Sequence, residues 1–163
     1  MKLKSSWRLP FFGGYSLQSQ PGVATLDGAV CYYMFATGVT PAMEAKMVGQ
    51  GSQYPWTALD ADGNPFDGSK TYKLTLPKDV PVKDFWSVIV YDVQTRSMLQ
   101  TDQVRPSVSS QDADLQVNAD GSVDVYFGPT APEGKESNWV QTIPGKGWFM
   151  ILRLYGPLEP WFN

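Results

Sequence analysis

The sequence predicts a mainly β protein: an antiparallel β-sandwich with one or two short helices near the N-terminus. Three observations carry this. Aromatic residues make up 13% of the chain, and large rings suit a pleated, half-buried surface and bring much buried area each. The 15 Gly and 13 Pro fall between apolar runs rather than in one tract, which is the punctuation of many short strands. Behind the front of the chain, strand-like runs follow one another without alternating helices, so a parallel α/β sheet is not expected. A length of 163 residues fits one domain with a real core. Residues 1–14 read as an extended arm with Trp7, Phe11 and Phe12 as anchors, and 15–163 as the sandwich domain.

Taken in order, Leu26 to Thr37 reads as a helix, with Leu26, Val30, Tyr33, Met34 and Thr37 on one face, Thr25 as its cap and Gly38 as its stop. The nearly continuous apolar run Val30 to Phe35 leaves a strand as the alternative. A second helix, Ala42 to Val48, is marked by Thr40 at the N-cap, Pro41 at the first helical position and Gly49 past the end. Strands then follow. Tyr54 to Leu59 leads into the turn Asp60-Ala61-Asp62-Gly63-Asn64. Thr71 to Leu76 has Tyr72, Leu74 and Leu76 on one face and Lys73 and Thr75 on the other. Phe85 to Val93 is apolar on both sides and therefore buried, with Ser97 to Thr101 as its neighbour. Leu115 to Val117 and Ser122 to Phe127 flank the hairpin signal Asn118-Ala119-Asp120-Gly121. Gly128 to Gly147 reads as a long loop, and Trp148 to Tyr155 is the last strand. Strands at this spacing predict a sandwich of jelly-roll type, with the helices at one edge.

The composition removes whole classes of chemistry. A net charge of −3, with a basic cluster only at Lys2, Lys4 and Arg8, does not suit nucleic acid. No run approaches the ~18 apolar residues of a membrane span. The first ten residues carry charge but no apolar core of a secretory signal, so the chain as it stands reads as cytoplasmic, while its composition leaves the compartment open. Cys31 is the single cysteine, so neither an internal disulfide nor a thiolate cluster is available; within its apolar run it reads as a buried, inert thiol. The absence of His removes Ser-His-Asp and Cys-His triads and His-based metal sites. No phosphate loop, dinucleotide fingerprint or nucleophile elbow occurs, so no nucleotide cofactor is expected.

Two features retain chemical interest. Asp60, Asp62, Asn64 and Asp67 crowd oxygen donors on one bend, the pattern a hard cation such as calcium takes. The string opens like an EF-hand loop, but Thr71 stands where the bidentate Glu belongs. The plainer reading is that Asp-Gly supplies the positive φ of a turn. Arg153, inside Trp148 to Tyr155, shares a face with Phe149, Ile151 and Tyr155. A charge there needs a partner; Asp92 and Asp124 are candidates for an ion pair, and the alternative is an anion-binding pocket. Arg153, Trp139, Asn138 and Tyr91 form the candidate ligand-binding set, with Trp139 alternatively an anchor for its loop.

Several strings occur together: Gly38-Val39-Thr40-Pro41-Ala42-Met43, Asp62-Gly63-Asn64-Pro65-Phe66-Asp67-Gly68, Phe85-Trp86-Ser87 with Tyr91-Asp92, Asn118-Ala119-Asp120-Gly121-Ser122, Asn138-Trp139 and Arg153-Leu154-Tyr155-Gly156-Pro157. In this order, over roughly residues 15 to 163, they resemble the domain-of-unknown-function family numbered 1214. The resemblance implies a jelly-roll sandwich that often stands behind a companion domain of the family numbered 1254. It also implies a short Trp- and Pro-containing tail beyond residue 163. Neither the companion nor the tail is in this sequence, so a truncated product and an uncovered sheet edge are expectations.

The functional expectation is a domain that binds a small molecule or a protein partner, with homo-oligomers through sheet edges. The alternative is a calcium-dependent hydrolase of an ester or lactone, since carboxylates are the main acid–base groups left without His.

Overall fold

The computed structural model describes residues 5–9, 18–30 and 45–163. The fold is mainly β and sandwich-like. Strands β1 (Gln18–Gln20) and β2 (Val23–Ala24) form a small hairpin ahead of a helical stretch at 26–30. The main sheet contains β3 (Ser52–Gln53), β4 (Trp56–Thr57), β6 (Val82–Asp92), β7 (Ser107–Ser109) and β10 (Trp148–Pro157), in the order β3-β10-β6-β7, with β4 also on β10. The second sheet orders β5 (Tyr72–Leu76), β8 (Val123–Gly128) and β9 (Trp139–Gln141). All ladders among the described residues are antiparallel except β8–β9, which is parallel.

The core lies between these two sheets. Period-two alternation turns Trp148, Met150, Leu152 and Leu154 of β10, with Trp86, Val88 and Val90 of β6, toward Leu76, Val123, Val125, Phe127 and Val140 opposite. Trp148 is the centre of this layer. It is fully buried, stacks on Phe66 at 4.2 Å and on Phe127 at 5.3 Å, and meets the edge of Tyr72 at 5.6 Å. Trp7 of the N-terminal arm packs on the same cluster, and Arg8 pairs with Trp56 through two backbone hydrogen bonds of 2.8 and 2.9 Å.

The early helix starts as expected, with the Thr25 carbonyl accepting from Ala29 N at 3.1 Å. Its continuation past residue 30, with Cys31 and Gly38, lies outside the described residues, as do Phe11 and Phe12. The second expected helix, Ala42 to Val48, is described only from residue 45, and 45–48 are bend, irregular and turn rather than helix. Tertiary ties explain this. Gly49 N donates to the Pro157 carbonyl at 2.7 Å, and Lys46 pairs with Glu159 and lies over the Phe162 ring.

Three further departures have local causes. Tyr54 to Leu59 is interrupted after β3, and Pro55 offers its carbonyl to Leu152 N at 2.9 Å. Leu115 to Val117 is not a strand. The Asn138 side chain takes the place of a neighbouring strand there, accepting from Gln116 N and donating to Gln116 O, both at 2.8 Å. The expected long loop 128–147 contains a 3₁₀ turn, Glu136–Asn138, and then β9. β9 is three residues long, below what periodicity detects. β7 is equally short and carries two serines in three residues.

Gly68 locks the turn after Phe66 to the loop before β10. Its N–H donates to the Lys146 carbonyl at 2.9 Å and its carbonyl accepts from Thr142 Oγ1 at 2.8 Å. A Cβ at Gly68 would lie 2.0 Å from the Ile143 carbonyl oxygen, a backbone atom that cannot swing aside. Gly68→Ala is therefore expected to destabilise the fold by about 3 kcal/mol, the upper end of overpacking costs. A urea midpoint unchanged from the parent protein would show that the turn can move away.

Candidate functional site

The outward face of the main sheet is the chemically unusual surface. Alternation that sends Trp148, Met150 and Leu154 inward sends Phe149, Ile151, Arg153 and Tyr155 outward. The β10–β6 register pairs these with Tyr91, Ile89, Ser87 and Phe85 in turn. β7 extends two rows, with Ser109 beside Ser87 and Ser107 beside Ile89. On the other side of β10, Trp56 stands beside Ile151. The result is an aromatic floor crossed by one row of cation and hydroxyls: Arg153, Ser87, Ser109.

Two tyrosines hold Arg153. Its Cζ lies 5.4 Å from the Tyr54 ring centroid and 5.2 Å from that of Tyr155. Ring faces attract a guanidinium but do not replace oxygen acceptors for its N–H groups. Arg153 Nε is buried with no hydrogen-bond partner. Phe85 and Tyr155 are stacked at 4.0 Å with planes 16° apart, and Tyr91 stacks on Phe149 at 5.2 Å. Burial pushes the Tyr91 hydroxyl above its ordinary 10.0, against the pull of the Arg153 charge. A concavity of about 790 Å³ opens over this face between Arg153 and β7; Phe85, Tyr155, Ser87, Ser107 and Gln111 line it, with Arg105 and Asp112. Ser109 Oγ donates to the Trp86 carbonyl at 3.2 Å and Asp112 accepts from Ser109 N at 2.7 Å.

The expected partners of Arg153 are engaged elsewhere. Asp92 pairs with Lys146 at 2.7 Å and accepts from the amides of Gln94 and Thr95. Asp124 pairs with Lys73 at 3.4 Å and accepts from Thr75 Oγ1. The ion-pair expectation for Arg153 is therefore corrected: β10 turns Arg153 to the outward face, while Asp92 is bound in the turn that ends β6.

Of the candidate ligand-binding set, Tyr91 shares the Arg153 face, whereas Trp139 begins β9 of the second sheet and Asn138 ends the 3₁₀ turn before it. Asn138 is 2% exposed and bonds the Gln116 backbone and the Asp124 carbonyl. Trp139 Nε1 donates to the Gly128 carbonyl at 2.9 Å, the geometry of an anchor. Tyr54, Ser107 and Arg105 have no signal in the linear sequence, because only the tertiary fold brings them to the Arg153 face.

In the acidic bend, Asp60 Oδ1 accepts from Asp62 N at 3.0 Å and Asn64 N at 2.8 Å. Asp67 Oδ1 accepts from Ser69 N at 2.9 Å and Ser69 Oγ at 2.6 Å. These bonds, that of Asn64 N foremost for Asp60 and of Ser69 Oγ foremost for Asp67, hold both carboxyls below their ordinary 3.8. Each carboxylate closes its own turn, and Gly63 has φ of +85°. Among the described residues no three acidic side chains gather as metal ligands. Asp60 and Asp62 rim a second opening of about 550 Å³ floored by Phe66, Phe127 and Met150. No helix of the described residues is long and apolar enough to cross a membrane.

A family model described as "Protein of unknown function (DUF1214)" matches residues 51–159. Among solved structures, the VPA0106 protein of Vibrio parahaemolyticus is similar at a TM-score of 0.60 and 25% identity, over 83% of this chain and 32% of that one. An uncharacterized protein from Burkholderia cenocepacia is similar at a TM-score of 0.45 and 20% identity, over 72% of this chain and 29% of that one. The chain thus spans under a third of either protein's length. No curated protein matches the sequence.

The Asp92–Lys146 pair gives a pH signature. The hydrogen bond from Lys146, joined by the amides of Gln94 and Thr95, holds the Asp92 carboxyl below its ordinary 3.8, against the opposing effect of burial. A carboxyl with a lower pKa folded than unfolded stabilises fully above the unfolded value, and that contribution is lost as pH falls through the folded one. Asp92→Asn is therefore expected to be less stable than the parent near neutral pH, with the gap narrowing below about pH 4. Urea titrations across that range check it; a gap independent of pH would assign the loss to something other than the ionised carboxylate.

Proposed function

The chain belongs to the family described as "Protein of unknown function (DUF1214)", and within it we propose that this domain binds a small anionic ligand on the outward face of the main sheet, over Arg153. The observation that supports this reading is the Arg153 guanidinium, which lines the concavity against two tyrosine rings and pairs with no carboxylate among the described residues. A cation against an aromatic wall without a counter-charge is costly, and a bound carboxylate or phosphate would supply one in the geometry that a guanidinium recognises. Arg105 adds a second cation to the same concavity. The aromatic surround lowers the local dielectric, which strengthens such a contact. Ser87 and Ser107 make no side-chain hydrogen bond among the described residues, so their hydroxyls remain available to a ligand.

The test is calorimetric titration with small carboxylates and inorganic phosphate, in parallel on the parent protein and on Arg153→Gln. Saturable binding by the parent, weakened about 10- to 100-fold in Arg153→Gln, is expected from the loss of a charged hydrogen bond. Circular dichroism and melting establish that the variant is folded. Equal affinity in parent and folded variant, or no saturable binding of any anion by the parent, would overturn the reading.

A further inference from the structure

We infer that the ligand of this face is a sugar acid, a pyranose bearing one carboxylate, such as a uronate. This rests on the anion-binding reading of the Arg153 site and narrows it. Three properties of the concavity select the class.

The first is the separation of charge from hydroxyls. Arg153 stands at one side, against Tyr54 and Tyr155. The β10–β6–β7 rows then place Ser87 directly beside it and Ser107 one row on, and the lining continues to Gln111 and Asp112. A ligand held at its carboxylate by Arg153 therefore meets hydroxyl, amide and carboxylate groups over the rest of its length. A simple aliphatic acid leaves those groups without partners. A ring of hydroxyls satisfies them, and the Asp112 carboxylate is an acceptor for such hydroxyls.

The second is the form of the aromatic surface. Phe85 and Tyr155 are stacked on each other at 4.0 Å, and Arg153 lies over Tyr155 as well. Stacking takes one face of each ring and Arg153 takes the other face of Tyr155, so the outer face of Phe85 remains as a one-sided wall, not a slot into which a flat aromatic acid could slide between two rings. A pyranose suits a one-sided wall, because its C–H face packs there while its hydroxyls point away.

The third is charge and room. Asp112 lies in the same lining as the two arginines. It disfavours a dianionic phosphate monoester more than a monocarboxylate at the same place. A volume of about 790 Å³ falls in the range of organic-ligand sites and exceeds what acetate or phosphate fills.

The experiment is a calorimetric panel on the parent protein: glucuronate and galacturonate, the neutral glucose and galactose, acetate, benzoate and inorganic phosphate. Arg153→Gln and Ser87→Ala accompany it, with melting curves as the check on folding. The expected result is binding of at least one uronate at least tenfold tighter than its neutral sugar, acetate, benzoate and phosphate. Arg153→Gln abolishes that preference over the neutral sugar, and Ser87→Ala weakens the uronate by a larger factor than acetate. If acetate, benzoate or phosphate binds as tightly as the uronates and depends on Arg153, the sugar-acid inference is overturned and the anion site stands. If neutral sugars bind as well as uronates and Arg153→Gln has no effect, the anion reading falls too, as it does if nothing in the panel binds.

Discussion

The structure depends on one antiparallel ladder, between β6 and β10. Its register runs from Trp148 beside Asp92 to Tyr155 beside Phe85, then slips by a bulge to Pro157 beside Val82. Both strands are buried on both faces over most of that length. A shift of one residue would exchange the two faces completely. Trp148 would leave the core, and Arg153 would have to enter it. The core layer around Trp148 and the outward aromatic face are thus two consequences of one register.

The two faces differ in how their polar groups are satisfied. Inward, Trp148 Nε1 is buried without a partner, but the amide and hydroxyl side chains that join the sheets are closed. Asn138 meets backbone on Gln116 and Asp124, and Thr142 meets Gly68. Such closure is what burial demands. Outward, Arg153 Nε is open although buried, and tyrosine faces stand where a carboxylate would normally be. Asp92, the expected partner, lies beside Trp148 at the far end of the ladder, whereas Arg153 lies beside Ser87. Asp92 instead holds Lys146 and caps the β6 turn. Among the buried side-chain atoms of the described residues without a partner, Arg153 Nε is the one that belongs to a charged group, and Arg153 borders the concavity; this makes the outward face a candidate site.

The acidic bend shows the opposite logic. Four oxygen-bearing side chains within eight residues suggested a cation loop. Their local use is now visible: Asp60 bonds forward to the amides of Asp62 and Asn64, and Asp67 to Ser69. Turn closure and cation binding need the same residue types, because both require oxygen acceptors on a tight bend. A linear pattern does not separate them.

The sequence by itself determined that the protein is mainly β, where its long strands lie, and which residues of the last strand share a face with Arg153. Those are properties of period-two alternation and of Gly and Pro placement, and both are local. It also determined that chemistry based on His or paired thiols is unavailable. The tertiary structure decided the rest. The three-residue strands β7 and β9 exist because neighbours supply their hydrogen bonds. Trp139 opens β9 in the second sheet, Asn138 ends the 3₁₀ turn before it, and Leu115 to Val117 is held by the Asn138 side chain instead of a strand. Above all, only the tertiary fold could place Tyr54, Ser87 and Ser107 around Arg153. They come from three separate stretches of chain, and the register that aligns them is set by packing across the whole sheet.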